Sequence, residues 1–174
     1  MPGIGHLAVG LAVARVMRPP AGLESWRWPL LLAAASFAPD VDVLAFPLGI
    51  PHYAALGHRG AMHSLAFAGV TGCAAGVIAR TWDVSALRVA LAVGLVMATH
   101  GILDTFTDGG RGVALLWPFD NRRFFAPWRP VPVSPLAWGI LSRRGFYVMA
   151  YELVLFLPLF VVAAWPRSRR AHSV

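Results

Sequence analysis

Apolar runs alternate with short polar segments along the 174 residues, and most of the histidine and acid falls at the ends of the runs. The runs cover residues 3–17, 29–38 resuming at 43–50, 65–79, 89–103 and 146–165. Crossing a bilayer core takes about 20 apolar helical residues, so the pattern predicts an all-α polytopic membrane bundle of about four to five transmembrane helices. The first run is short and is expected to lie tilted or only partly inserted, whereas 146–165 meets the full length. Proline 39 interrupts the second run, because it lacks the N–H of a helical hydrogen bond. Asp40 and Asp42, two apart, would diverge on a continuous helix and can share a site only where the backbone leaves the α-helix. Such backbone is tolerated at membrane depth where it lines a cavity or is buried in protein. In the third run Gly69, Gly72 and Gly76 suit close helix packing. Residues 105–145, rich in Pro, Trp and Arg, are too interrupted to span; the apolar stretch 113–119 is expected to touch the bilayer or cover a site. Residues 1–174 read as a single membrane-embedded domain closed by a basic tail, 166–174.

Composition agrees with that pattern. The chain is 57% hydrophobic and 13% charged, and a soluble domain of this size would need more polar surface. All 15 basic residues are arginine, giving a formal net charge of +7. They lie between and beside the apolar runs, which suits juxtamembrane anchoring and anionic lipid heads rather than nucleic acid. Cys73 is the sole cysteine and permits no internal disulfide.

Counting crossings brings the polar residues together. If the chain starts on one face, the second run returns to it with Asp40 and Asp42, and the third leaves from it with His58 and His63. The fourth run comes back to the same face, bringing His100 and Asp104, four apart and on one helix face. His6, near the start of the first run, falls there too. A charged group at a helix centre costs about 2.5–3.5 kcal/mol on insertion scales, so such a set is expected to be paired or bound to an ion. Imidazole with carboxylate suits Zn2+, and also Mn2+ or Fe2+. The candidate metal ligands are His6, Asp40, Asp42, His58, His63, His100 and Asp104, with Asp40 or Asp42 as the candidate catalytic base.

These residues resemble a known family, the YdjM-like membrane-bound proteins identified as metal-dependent hydrolases. The likeness runs through Gly5-His6, Pro39-Asp40-Val41-Asp42, His58-Arg59-Gly60 with His63-Ser64, His100-x-x-x-Asp104 and Leu116-Trp117-Pro118-Phe119, over roughly residues 1–125. It implies a helical fold distantly similar to the zinc-dependent phospholipase C and single-strand nuclease superfamily, which hydrolyses phosphodiesters, and a bacterial inner-membrane location. It also implies that His6, the Asp40/Asp42 pair, His58 or His63, His100 and Asp104 are ligands. After Asp104 no histidine occurs before His172, so one or two ions are expected rather than that superfamily's three.

The expected function is hydrolysis of a phosphoester, such as a phospholipid, by metal-activated water. A non-catalytic membrane protein with a structural or sensory ion is the alternative, and a transporter would need polar residues continuing toward the opposite face. Arg59 is expected either to grip a substrate phosphate or to orient Asp40 or Asp42, and Arg122 to contact a headgroup. Arg123, like Arg122, reads as a headgroup contact or a solvated basic rim, Glu152 as a buried hydrogen-bonding acid, Trp117 and Phe119 as anchors, and His52 and His172 as structural. Seven arginines fall on the site face and eight on the other, where they sit in short segments near span ends. The positive-inside rule then turns the site outward.

Overall fold

The computed structural model describes residues 3–135 and 137–166; the expected basic tail and His172 lie outside them. It is all-helical, with no named β-strand among the described residues. Six α-helices run in order: α1 Ile4–Val16, α2 Arg27–Phe37, α3 Leu65–Arg80, α4 Ala86–Thr105, α5 Arg143–Leu155 and α6 Leu157–Ala164. A 3-10 helix, Ala38–Ala45, continues α2, and a short one, Ala61–His63, precedes α3.

The segment Arg27–Ala45 and α4 are long and apolar enough to cross a membrane, while α1 and α3 are shorter apolar helices. The expected single span at 146–165 differs: α5 and α6 bend by 58° at Phe156. Pro158, in the first turn of α6, has no N–H to continue the α5 hydrogen-bond ladder. Outward-facing apolar side chains, among them Leu30, Leu44, Val70, Val77, Leu91 and Val154, make the surface of the spans a lipid surface.

Helix α1 lies at the centre, against α2, α4, α5 and α6. Its buried positions are small (Gly5, Ala8, Gly10, Ala12, Ala14) apart from His6, so neighbouring backbones approach closely. A Cβ at Gly10 would stand 2.7 Å from the Leu32 carbonyl oxygen. On α3, Gly72 and Gly76 meet the α4 backbone at Ala90 and Ala86, whereas Gly69 faces open space and takes no part in that contact.

The ends of the bundle sort as crossing parity requires. The Arg88 guanidinium donates to the Pro19 carbonyl at 3.4 Å, and the Arg15 Nε–H to the Trp165 carbonyl at 2.8 Å, which gathers one set of helix ends. The other end carries the start of α1, the end of α2, the start of α3 and the end of α4. Residues 113–115 cross this end: Ala114 N–H donates to the Arg59 carbonyl and Leu65 N–H to the Leu115 carbonyl. Val113 and Ala114 are buried over the motif loop, while Phe119 is 90% exposed. Of the two roles expected for 113–119, its first half covers the loop and its second half faces outward.

Candidate metal centre

Proline 39 sets the geometry of the centre. Where α2 ends at Phe37, its last carbonyls lack partners within the α-helix. The Ser36 carbonyl is one of them, and His100 Nδ1 lies 2.7 Å away. That contact assigns the proton to Nδ1 and turns the Nε2 lone pair inward. On the other side, Asp42 Oδ2 lies 3.0 Å from His63 Nδ1, and this carboxylate likewise favours a proton there. The two Nε2 atoms then face each other at 3.1 Å. Asp40 Oδ1 stands 3.5 Å from both, and Asp104 Oδ2 lies 3.6 Å from His63 Nε2.

With both rings neutral, as a bound ion would require, four acceptor atoms converge with no hydrogen of their own between them. Ligands about 2.0–2.2 Å from a tetrahedral ion stand roughly 3.3–3.6 Å from one another, close to these separations. Charge points the same way. Three carboxylates, Asp40, Asp42 and Asp104, gather here, and the Arg59 guanidinium pairs with one of them, Asp104. Asp40, His63, His100 and Asp104 form one grouping able to hold a metal ion, and Asp40, Asp42, His58 and His63 form a second.

The 3-10 turn separates the two aspartates. Asp42 is buried, faces His58 Nδ1 at 2.7 Å as well as His63, and accepts the Arg59 N–H at 2.9 Å. Asp40 keeps 28% of its side chain exposed, while His63, His100 and Asp104 are sealed. His63 thus lies between them, one ring nitrogen toward each. Burial opposes charge on this ring, but Asp40 and Asp42 outweigh it and raise its pKa to about 9. His6 stacks on His100, ring centroids 3.6 Å apart, with Nε2 3.3 Å from Asp104 Oδ1. It joins the cluster without entering either four-residue grouping.

Arg59 is buried and occupies the left-handed region at φ 61, a conformation costing about 1–3 kcal/mol off glycine. Its backbone N–H on Asp42, its Nε 3.0 Å from Asp104 Oδ2 and its Nη1 on the Thr107 hydroxyl at 2.9 Å hold it there. Its side chain thus pairs with Asp104 and its backbone with Asp42. Arg122 stands apart on the exposed rim, paired with Asp120 through Nε at 2.7 Å and Nη2 at 2.6 Å. That contact lowers the Asp120 pKa and raises that of Arg122.

Two contributors escaped the sequence reading. Arg123, expected on a solvated rim, donates to the carbonyls of His58, Arg59, Gly112 and His52 at 2.9–3.3 Å and ties the motif loop together. Gly101 lets the His63 backbone press on α4, since a Cβ there would stand 2.1 Å from the His63 carbonyl oxygen. Glu152, expected as a buried hydrogen-bonding acid, is fully buried on α5 and accepts the Gly5 N–H at 3.1 Å, in the first turn of α1 beside His6. Only the position of Gly101 next to His100 offered a signal; carbonyl acceptors carry none.

Fold and centre together define a polytopic membrane protein whose helix ends enclose a buried His/Asp cluster able to hold a metal ion. The profile of the family described as YdjM inner membrane protein matches residues 1–170, and the chain belongs to that family. The inner membrane protein YbcI of Escherichia coli (strain K12) is 38% identical over 173 residues, covering 94% of each chain. No solved structure matches. The protein is integral to the inner membrane.

Proposed function

We propose that this protein is a metal-dependent hydrolase that cleaves a phosphoester of a membrane lipid. The facing Nε2 atoms of His63 and His100, closed by Asp40 and Asp104, support this reading most. Two imidazoles with a carboxylate suit Zn2+ best, with Mn2+ or Fe2+ accepting the same donors. His63, His100 and Asp104 would hold the ion, and the Asp42–His58 side offers room for a second. A bound divalent ion supplies Lewis-acid activation of water and of a phosphoryl oxygen. Asp40, the only solvent-reached donor of its grouping, takes the proton of the attacking water at Oδ1. Asp42 keeps His63 and His58 aligned, and Arg59 steadies Asp104. The resemblance to the zinc-dependent phospholipase C superfamily adds support for the phosphodiester class.

Asp40→Asn should keep its metal and lose about 10²–10⁴-fold in turnover. Elemental analysis beside hydrolysis of a lipid and diester panel measures both. Undiminished turnover would remove Asp40 from the base role. If metal-loaded wild type hydrolyses nothing in the panel, the structural reading takes over, which the sealing of His63, His100 and Asp104 also suits. In that case chelation lowers thermal stability and nothing more. Transport is disfavoured, because below the cluster the described interior is Ala68, Ala92, Val93, Val96 and Met97.

The reading also turns the centre outward. On its face Arg59 is paired with Asp104 and Arg122 with Asp120, whereas Arg18, Arg80 and Arg88 crowd the opposite short turns. A cysteine at Asn121 should react with an impermeant maleimide in intact cells, and one at Asp83 only after lysis. The reverse pattern would place the centre in the cytoplasm.

A further inference from the structure

Beside the centre, on the same end of the bundle, a cavity of about 210 Å3 opens between Tyr53, Ala54, Trp117, Asn121 and Arg123. No metal donor lines it. Arg123 is half-buried there, and its hydrogen-bond partners are all backbone carbonyls. Burial lowers its pKa, Asp42 pulls it back up, and Arg111 and Arg59 lower it again. No acid lines the cavity, and the neighbouring Asp120 is engaged by Arg122. Uncompensated guanidinium charge in a half-buried pocket selects an anion and repels a lipid ammonium group.

Location narrows the class. Tyr53 lines the cavity, 72% exposed, at the end of the spans where aromatic residues sit among lipid headgroups. Lipid phosphate is the abundant anion at that level. We propose that this cavity is a binding subsite for the phosphate-bearing headgroup of an anionic lipid. The subsite deepens the hydrolase reading, because Arg123 and Ala114 both bond the backbone at Arg59, one residue from His58. A bound headgroup therefore rests on the loop that carries the ligands. Binding itself requires no turnover, so the subsite stands or falls separately from hydrolysis.

Calorimetric titration of the full-length protein in non-ionic detergent tests it, using dihexanoyl phosphatidylglycerol, dihexanoyl phosphatidylcholine and inorganic phosphate below micellar concentrations. Phosphatidylglycerol should bind at least about tenfold more tightly than phosphatidylcholine. Arg123→Gln should weaken it by about tenfold or more. Because Arg123 also ties the motif loop, Asn121→Trp, which fills the mouth of the cavity from an exposed position, should produce the same loss in a protein whose loop bonds are intact. His100→Ala should bind phosphatidylglycerol as wild type does. Equal binding of the two lipids, or wild-type affinity in Asn121→Trp, overturns the subsite. Loss confined to His100→Ala would put the phosphate on the metal centre instead, and inorganic phosphate binding as tightly as the lipid would replace the lipid with the free anion.

Discussion

His100→Ala abolishes metal binding: wild type purified in detergent is expected to carry about one to two ions per chain, and the variant essentially none. The expectation follows from how the donors share the work. Nε2 of His100 is one of four atoms around a common point, and its ring is already aimed by the Ser36 carbonyl. Losing a residue that merely orients a ligand costs about 10–100-fold in metal affinity. Losing a donor costs more, and the remaining His63 and Asp104 cannot reclose the set, because α4 fixes the position left empty. The stack of His6 on the His100 ring goes with it. His52→Ala is the matched control: its ring lies 5.6 Å from that of His58, and its contribution to Arg123 is a backbone carbonyl that alanine retains. Elemental mass spectrometry on both variants and wild type decides the matter, with circular dichroism to confirm helicity. Equal ion content in His100→Ala and wild type, or none in wild type after reloading with zinc or manganese, would falsify the metal centre.

Gly101→Val is expected to be the most damaging substitution outside the donor set. A Cβ at 101 would stand 2.1 Å from the His63 carbonyl oxygen and 3.1 Å from its carbon. Those are backbone atoms in a 3-10 turn, so no rotamer change relieves the clash. The turn and α4 must separate, at about 1–3 kcal/mol for overpacking of this kind. Separation also widens the 3.1 Å between the two Nε2 atoms, so stability and metal affinity fall together. Gly69→Val, on an equally apolar helix but facing open space, should change neither. Thermal unfolding with ion content reads out both quantities, and indistinguishable behaviour of the two variants would sink the proposed role of Gly101.

How far the site can be read along the chain depends on what each contact is made of. His63, His100 and Asp104 were legible because imidazole and carboxylate are rare and costly beside apolar runs, and because crossing parity assigns each run end to a face. The same parity found His6, Asp40, Asp42 and His58. The break at Pro39 was legible too, since a missing N–H is a covalent property of one residue. Pro158 carried the same signal for the bend between α5 and α6, although length and apolarity alone suggested one straight span.

What divides Asp40 from Asp42 was not legible. A 3-10 helix in place of an α-helix rotates one carboxylate to the solvent edge and the other behind the His63 ring, and both backbones suit the sequence Ala-Pro-Asp-Val-Asp equally. Nor could Arg59 and Arg123 be told apart from surface arginines. Their acceptors include carbonyls of Gly109, His52 and His58, and every residue owns a carbonyl. Of three glycines spaced along α3, only Gly72 and Gly76 meet α4, a choice made by how the helices are rotated against each other.

By itself the sequence determined that this chain is a helical membrane protein with its histidines and acids at one end of the bundle. Hydrophobic run length and crossing parity are enough for that, because each is a property of residues counted one at a time. Tertiary structure alone decided which nitrogen of each imidazole faces inward, which aspartate remains reachable, and that Gly101 and Arg123 hold the motif loop in place. Those outcomes depend on backbone atoms common to all residues and on packing distances between segments far apart in the chain, and neither is written at any single position.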